Sequence, residues 1–374
     1  MASGTLKTRQ DIDDFTRGTD FLSASGGGPT TEARGFLSEL LDAGREIGWC
    51  RLDEIDDDAR VCSTFFSGSV APSRYDRSGP EREYGIVTTD PHPTVAAVDL
   101  LERECGAPFD VIVPIEIGGN NTGHALATAA ALGKLVPDGD FAGRAIPEAT
   151  CITPHLAGLA MAPLACANYY GNRVVISTSQ NNEMAERLTK QLAVASFGCV
   201  GCAAFMMTGK DAKRLAVPGT LTRSLEIGRA IREAQQAGRD PLAEVTARVD
   251  GVHVLFRGTI AKRWWESRDG YMWGEHVLEG CDGHDGHELK LWFKNENHVS
   301  WLDGEPWASG PDVLELVDLD TGEPVVNSFA EEGQRVGVMG IRRCEQFAGE
   351  AGIAALGPRH WGFDWDYRPL EQLV

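Results

Sequence analysis

Apolar and polar residues alternate at helical spacing near the start of the chain. TRQDIDDFTRGTDFL (8–22) reads as a short amphipathic helix. SASGGGP (23–29) breaks it, and TTEARGFLSELLDAGREI (30–47) predicts a second helix capped by Thr30 or Thr31. RVCSTFFSGSVAPS (60–73) is strand-like, residues 75–90 read as a charged loop, and PTVAAVDLLERECG (93–106) has helical spacing. FDVIVPIEIGGNNTGHALATAAALG (109–133) predicts strand, glycine turn and a small-residue helix, which is half of a βαβ unit. LVP (135–137) would then open the next strand. Farther on, NRVVISTS predicts a strand, NNEMAERLTKQLAVASFG a helix, and LTRSLEIGRAIREAQQAG (221–238) an amphipathic helix ending at Gly238. From about residue 248 β-type runs dominate, with DTGEP as a hairpin-type turn.

These patterns predict an α/β protein: an N-terminal α/β domain with a mostly parallel sheet over 1–168, and a C-terminal α+β domain over 169–374. The second domain is expected to be helical over 180–240 and β-rich over 248–345. A length of 374 residues supports two domains. No repeat at a solenoid period is present.

Composition narrows the function classes. The chain is 42% apolar and 24% charged, as globular proteins are. A net charge of −20 repels phosphate backbones and argues against nucleic acid as a partner. Nine cysteines lack a framework spacing and fit a reducing compartment. MASGTLKTRQDIDDF has no apolar core, and HLAGLAMAPLACANYYG (155–171) is too short to span a bilayer. The expectation is a cytoplasmic protein without a membrane partner.

The densest chemistry lies in VPDGDFAGRAIPEATCITP (136–154). Asp138 and Asp140 could bind a divalent cation, or separate in pKa and work as acid and base. Arg144 could pair with a carboxylate or clamp a substrate carbonyl or carboxylate, with Glu148 orienting it. An ion-pair network around a buried turn is the structural alternative. Glu116 ends an otherwise apolar strand, and burying it unpaired would cost several kcal/mol, so a partner is expected. The glycines of 26–28, ahead of a helix, leave N–H groups able to face an anion. Asn120 and Asn121 tolerate unusual turn backbones.

Other candidates have plainer readings. Cys199 and Cys202 form a lone CxxC with apolar flanks and are expected to pack as small hydrophobes. Cys281, His284 and His287 in CDGHDGHE invite a zinc site, but the Asp- and Gly-rich setting reads as a solvated hairpin loop. His92, His124 and His155 share no ligand spacing. Cys151 would be a nucleophile if a base stood nearby, and none is local in sequence. Walker, GxGxxG, HExxH and GxSxG patterns are absent, so no nucleotide is expected.

SASGGGP, PIEIGGNN, DGDFAGRAIPE, GTLTRSLEIGRAI, WFKNENHVSW, GPDVLELVD and GPRHWGFDWDY occur in that order between about residues 8 and 368. Together they resemble the S-methyl-thiohydantoin desulfurase family. The resemblance implies two domains and chemistry on a five-membered cyclic ureide: removal of a methylthio group from an S-methyl-thiohydantoin, giving hydantoin and methanethiol. It raises the acidic cluster as a site, with Asp140 as base or metal ligand, Arg144 holding a ring carbonyl, and Glu116 and Glu148 orienting these groups. Gly26, Gly27, Gly28, Gly118, Gly119 and Asn120 would supply backbone donors, and Asp138 would join the substrate-binding set. A divalent metal is the cofactor for which the pattern leaves room. An accessory subunit of a hydantoinase-like ATP-dependent enzyme, a non-catalytic small-molecule binding protein, and a homo-oligomer are the competing expectations for role and partners.

Overall fold

The computed structural model describes residues 4–72 and 79–374. Two sheets organise it. A five-stranded sheet runs in the order Val111–Pro114, Arg60–Gly68, Cys199–Thr208, Leu164–Ala167, Arg173–Ile176. A seven-stranded antiparallel sheet runs Glu305–Ser309, Glu296–Leu302, Glu288–Lys294, Tyr271–Gly280, Val252–Arg268, Arg335–Ile341, Val313–Asp318. It curls enough for Asn297 Nδ2 to donate to Leu314 O across non-neighbouring strands, at 3.0 Å.

The mixed α/β class is as expected, but the parallel sheet is confined to one edge. Arg60–Gly68 and Val111–Pro114 pair in parallel, and Leu135 adds an isolated parallel bridge to Val111. The other pairs in that sheet are antiparallel. The reason is Cys199–Thr208, which inserts at the centre. Its small residues Gly201, Ala203 and Ala204 let it pack there, and Gly201 is pressed against the backbone of Pro93 and Thr94.

Most predicted helices form at their expected positions. Arg9–Phe21 carries a capping box between Thr8 and Asp11. Thr31–Asp42 follows Thr30, whose side chain makes no capping bond. Pro93–Cys105 and Asn182–Ala195 also match. The GGNNTG segment is a correction: the helix already begins at Gly119 and runs to Leu132, so the predicted turn is its first turn. Part of the 75–90 loop lies outside the described residues, and Gly79–Tyr84 within it is helical.

The N-terminal helix packs across Thr220–Gln236 at backbone contact. A Cβ on Gly18 would stand 1.6 Å from Ser224 O, and one on Gly228 would stand 1.7 Å from Asp14 O. The buried Asp14 carboxylate is held there by Arg232 at 2.9 Å and Arg17 at 3.1 Å. The start of the chain is thereby locked to a helix some two hundred residues farther on. Among the described residues no helix is long and apolar enough to cross a membrane.

Arg144 makes the second lock. Its guanidinium is buried and donates to Ala145 O at 3.0 Å, Asp312 O at 3.1 Å and Asn297 O at 3.1 Å. These bonds join the 140s turn to the seven-stranded sheet. Arg144→Met strands three buried carbonyls and is expected to cost on the order of 3 kcal/mol. Urea unfolding should show a lower midpoint at an unchanged slope.

Candidate active site

A cleft of about 430 Å³ opens between the two sheets. It lies beyond the carboxyl ends of the one parallel pair, with Phe65 to Ser69 on one side and Ile115 and Glu116 on the other. That is where open sheets place ligands. The start of the Gly119–Leu132 helix, the helix Asn182–Ala195, and Asn295 and Glu296 at a hairpin of the large sheet add polar lining, as do Glu32, Tyr169 and Ser328.

Glu116 follows the strand Val111–Pro114. Its Oε1 accepts from Asn121 Nδ2 at 2.6 Å and its Oε2 from Ile146 N at 2.6 Å. Asn121 is fixed in turn by Phe66 N, which donates to its Oδ1 at 2.7 Å. Burial nevertheless pushes the Glu116 carboxyl up to about 7.

Glu296 faces the same cleft. Asn295 before it sits at φ +57, and its Oδ1 accepts from Met272 N at 2.8 Å. Glu296 Oε1 accepts from Gly27 N at 3.1 Å, while Oε2 is shut off from solvent with no hydrogen-bond partner among the described residues. Burial, and then the neighbouring Glu116, push this carboxyl up to about 8.

The two predicted glycine turns meet behind this pair. Asn120 N donates to Gly27 O at 3.2 Å. A Cβ on Gly118 would stand 3.2 Å from Glu116 Oε1 and 3.3 Å from Gly27 Cα. A Cβ on Gly26 would fall 2.1 Å from Glu296 Oε1, and one on Gly119 would fall 1.8 Å from Asp20 Oδ1. Asn120 Oδ1 is buried and partnerless among the described residues. The 26–28 turn faces a carboxyl group of the protein itself, through Gly27 N donating to Glu296 Oε1.

Glu186 and Lys190 form the far wall. Glu186 accepts from Ala149 N at 3.2 Å and from the Tyr271 hydroxyl at 3.1 Å. Lys190 Nζ donates to Gly68 O at 3.0 Å and lies 3.6 Å from Glu186.

The structure therefore brings together Glu116, Gly27, Gly28 and Asn120 on the cleft surface, with Gly26, Gly118 and Gly119 directly behind. It separates the remaining expected residues from them. Asp138 accepts from Leu221 N, Thr222 N and Thr222 Oγ1, capping the Thr220–Gln236 helix. Asp140 Oδ2 accepts from Ala142 N and Gly143 N, closing the turn. Arg144 is spent on carbonyls. Glu148 pairs with Lys294 and His360, and its carboxyl is held down to about 2: burial opposes ionisation, but these two partners outweigh it. The constellation expected of 138–148 is thus four separate structural or ion-pair roles, because each carboxylate finds backbone donors or a cation before it can reach the cleft. Asp138 and Asp140, committed in this way, are not arranged around a shared cation position.

Glu296, Glu186 and Lys190 were not singled out in the sequence. Glu296 carried the same signal as Glu116, an acid in an apolar strand run (WFKNENHVSW). Cys202 packs 3.6 Å from Cys166, as a small hydrophobe should, and Cys199 lines the cleft. The 281–288 loop is solvated, with His287 bound to Asp303 at 2.7 Å. His92 stacks on Phe36, His155 meets Asn182 at 3.0 Å, and His124 is buried in its helix.

Fold and cleft define a mixed α/β protein of two interlocked halves, with a buried acid pair in a cavity of small-molecule size. The chain belongs to the S-Me-THD-like family: the family's N-terminal domain matches residues 10–178 and its C-terminal domain residues 180–370. This is the family that the ordered motifs resemble. Among solved structures, the crystal structure of a protein from Chromobacterium violaceum superposes with a TM-score of 0.77. It covers 99% of this chain and 100% of that one at 19% identity, a likeness that shows the fold alone. No curated protein matches the chain.

The raised acids bear on stability. Between the ordinary 4.5 and about 8 the folded protein keeps a proton on Glu296 that the unfolded chain has released. The unfolded state binds fewer protons there, so stability falls as pH rises across that window. Glu296→Gln keeps an acceptor for Gly27 N and removes the titration. Its melting temperature should fall less than that of the unsubstituted protein between pH 5 and 9, about the ends of this window. Equal slopes would show that the Glu296 pKa is not raised.

Proposed function

We propose that this protein is a hydrolase acting on a five-membered cyclic ureide or thioureide, and that it removes the methylthio group from an S-methyl-thiohydantoin. The observation that carries this reading is the pair Glu116 and Glu296, two buried carboxyls near neutrality on one cleft. Family membership supports the general kind of chemistry, and the pair supplies a route for it.

The reacting ring carbon is amidine-like and needs an activated water and a proton for the nitrogen that gains charge. Glu116 is poised for the ionised form by its two N–H donors, and it takes a proton as the water oxygen bonds to that carbon. Glu296, protonated at Oε2, gives its proton to the ring nitrogen. In the resulting tetrahedral adduct the C–S bond breaks with its electrons going to sulfur. Glu116 returns its proton to the leaving methanethiolate, and Glu296 recovers one from the adduct hydroxyl as the carbonyl forms. Hydantoin and methanethiol result, and both carboxyls return to their starting states. The burial of both carboxyls strengthens each of these charge interactions.

Methanethiol release from an S-methyl-thiohydantoin by the purified protein tests the reading. Glu116→Gln and Glu296→Gln should each lower kcat/KM by about 10²–10⁴-fold. The rate should rise with pH through about 7, as Glu116 ionises, and fall through about 8, as Glu296 loses its proton. No turnover at high enzyme concentration, or full activity in both variants, would overturn it.

A further inference from the structure

A second cluster lies on the other side of the segment that walls the cleft. Ile146, Pro147 and Ala149 face the cleft, while Glu148 and Cys151 face away from it. A turn closed by Cys151 N donating to Glu148 O at 2.9 Å puts both side chains on one side. His360 reaches them from the turn Pro358–Trp361 near the end of the chain. One carboxylate oxygen, one thiol sulfur and one imidazole nitrogen lie within 4.8 Å of one another.

We propose that Glu148, Cys151 and His360 bind a divalent cation of the zinc class, which braces the cleft wall against the C-terminal turn. Three features of the geometry point this way. Glu148 Oε2 and His360 Nε2 are 3.4 Å apart. Two ligands each about 2.0 Å from a tetrahedral zinc ion stand roughly 3.3 Å apart, so these two are already at ligand spacing. The donor set mixes sulfur, nitrogen and oxygen, which suits zinc or cobalt and not magnesium or calcium.

The third feature is the division of labour on Glu148. Lys294 holds Oε1, while Oε2 faces the imidazole and accepts a long bond from Thr150 Oγ1 at 3.3 Å. Lys294 therefore acts as an outer partner that orients the carboxylate, as outer-shell groups do at metal sites. His360 is oriented by the Trp361 ring, edge-on at 4.4 Å, and Trp361 is anchored by its Nε1 donating to Leu356 O at 3.1 Å.

Binding releases the thiol proton to solvent, and the Sγ–H contact to Ala355 O at 3.4 Å gives way to a metal–sulfur bond. The thiolate and carboxylate charges balance the ion. His360 lies on the solvent side, which provides an entry path and leaves the fourth position to water. Cys151, without a base in the local sequence, thus acquires an imidazole neighbour from the far end of the chain.

Cobalt(II) titration of the full-length, chelator-treated protein tests this directly. One equivalent should give a thiolate-to-cobalt charge-transfer band with the intense visible bands of a four-coordinate ion. Added zinc should displace the cobalt and raise the melting temperature. His360→Gln alters an exposed residue and so spares the core, and both it and Cys151→Ser should abolish the band and the thermal shift. Cys281→Ser, in the solvated loop, should change neither. Absence of a stoichiometric thiolate band overturns the proposal, as does a band that survives His360→Gln or is lost in Cys281→Ser. None of these readouts depends on catalytic turnover.

Discussion

The architecture depends on a glycine turn and a glycine-led helix start meeting at distances that exclude side chains. Gly27 lies against Gly118 and Gly119, and Gly26 against the Glu296 carboxylate. Any Cβ at Gly26 or Gly119 would overlap an acid oxygen at about 2 Å, inside every allowed contact. Gly27 and Gly28 also adopt φ of +63 and +72, which glycine reaches without strain. Because no side chain intervenes, the large sheet can place Glu296 within bonding distance of Gly27 N. The cleft exists where it does because these backbones touch.

The same closeness sets the electrostatics. Carboxyl groups this deep are costly as anions, so burial raises their pKa until donors or cations compensate. Glu148 has Lys294 and His360 and stays ionised. Glu116 has two N–H donors and reaches only partial compensation. Glu296 has one donor and reaches the least. One sheet and two turns thus supply a graded set of acids in a single region, and the grading follows from the number of partners each oxygen finds.

Much of the fold could be read from periodicity, because amphipathic helices and alternating strands announce the face they bury. The helices at Arg9–Phe21, Asn182–Ala195 and Thr220–Gln236 are examples. The sheet order could not be read. Cys199–Thr208 enters the middle of a sheet whose other strands lie before residue 177, and no local signal says which strand it will join. The site was half legible for the same reason. Glu116 and the glycine turns carry a local oddity: an acid in an apolar run, or a run of glycines. Glu186 and Lys190 look like ordinary polar positions of an amphipathic helix until the tertiary fold turns them inward. Glu296 carried the Glu116 signal inside a longer strand pattern that masked it. Conversely, DGDFAGRAIPE is chemically rich in sequence because a buried turn needs many polar groups to satisfy its own backbone.

A raised carboxyl pKa does not by itself mark a site in this protein. Asp20 is pushed to about 8 and Asp140 to about 7, and Glu315 is raised as well, all chiefly by burial. Asp140 even retains a partnerless oxygen among the described residues, as Glu296 does. What separates Glu116 and Glu296 from these three is access, since only they line the cleft. Asp140 is enclosed by its own turn, and Glu315 is tied to Ser25 N and Ser25 Oγ. Asp20, in the last turn of Arg9–Phe21, lies behind Gly119. A proton held by any of these enclosed acids can exchange with the protein interior but cannot reach a bound molecule. The pair proposed to act is therefore set apart by two conditions met together, a titration near neutrality and a place on the cleft wall, and burial gives Glu296 the first against the lowering pull of the Gly27 N–H.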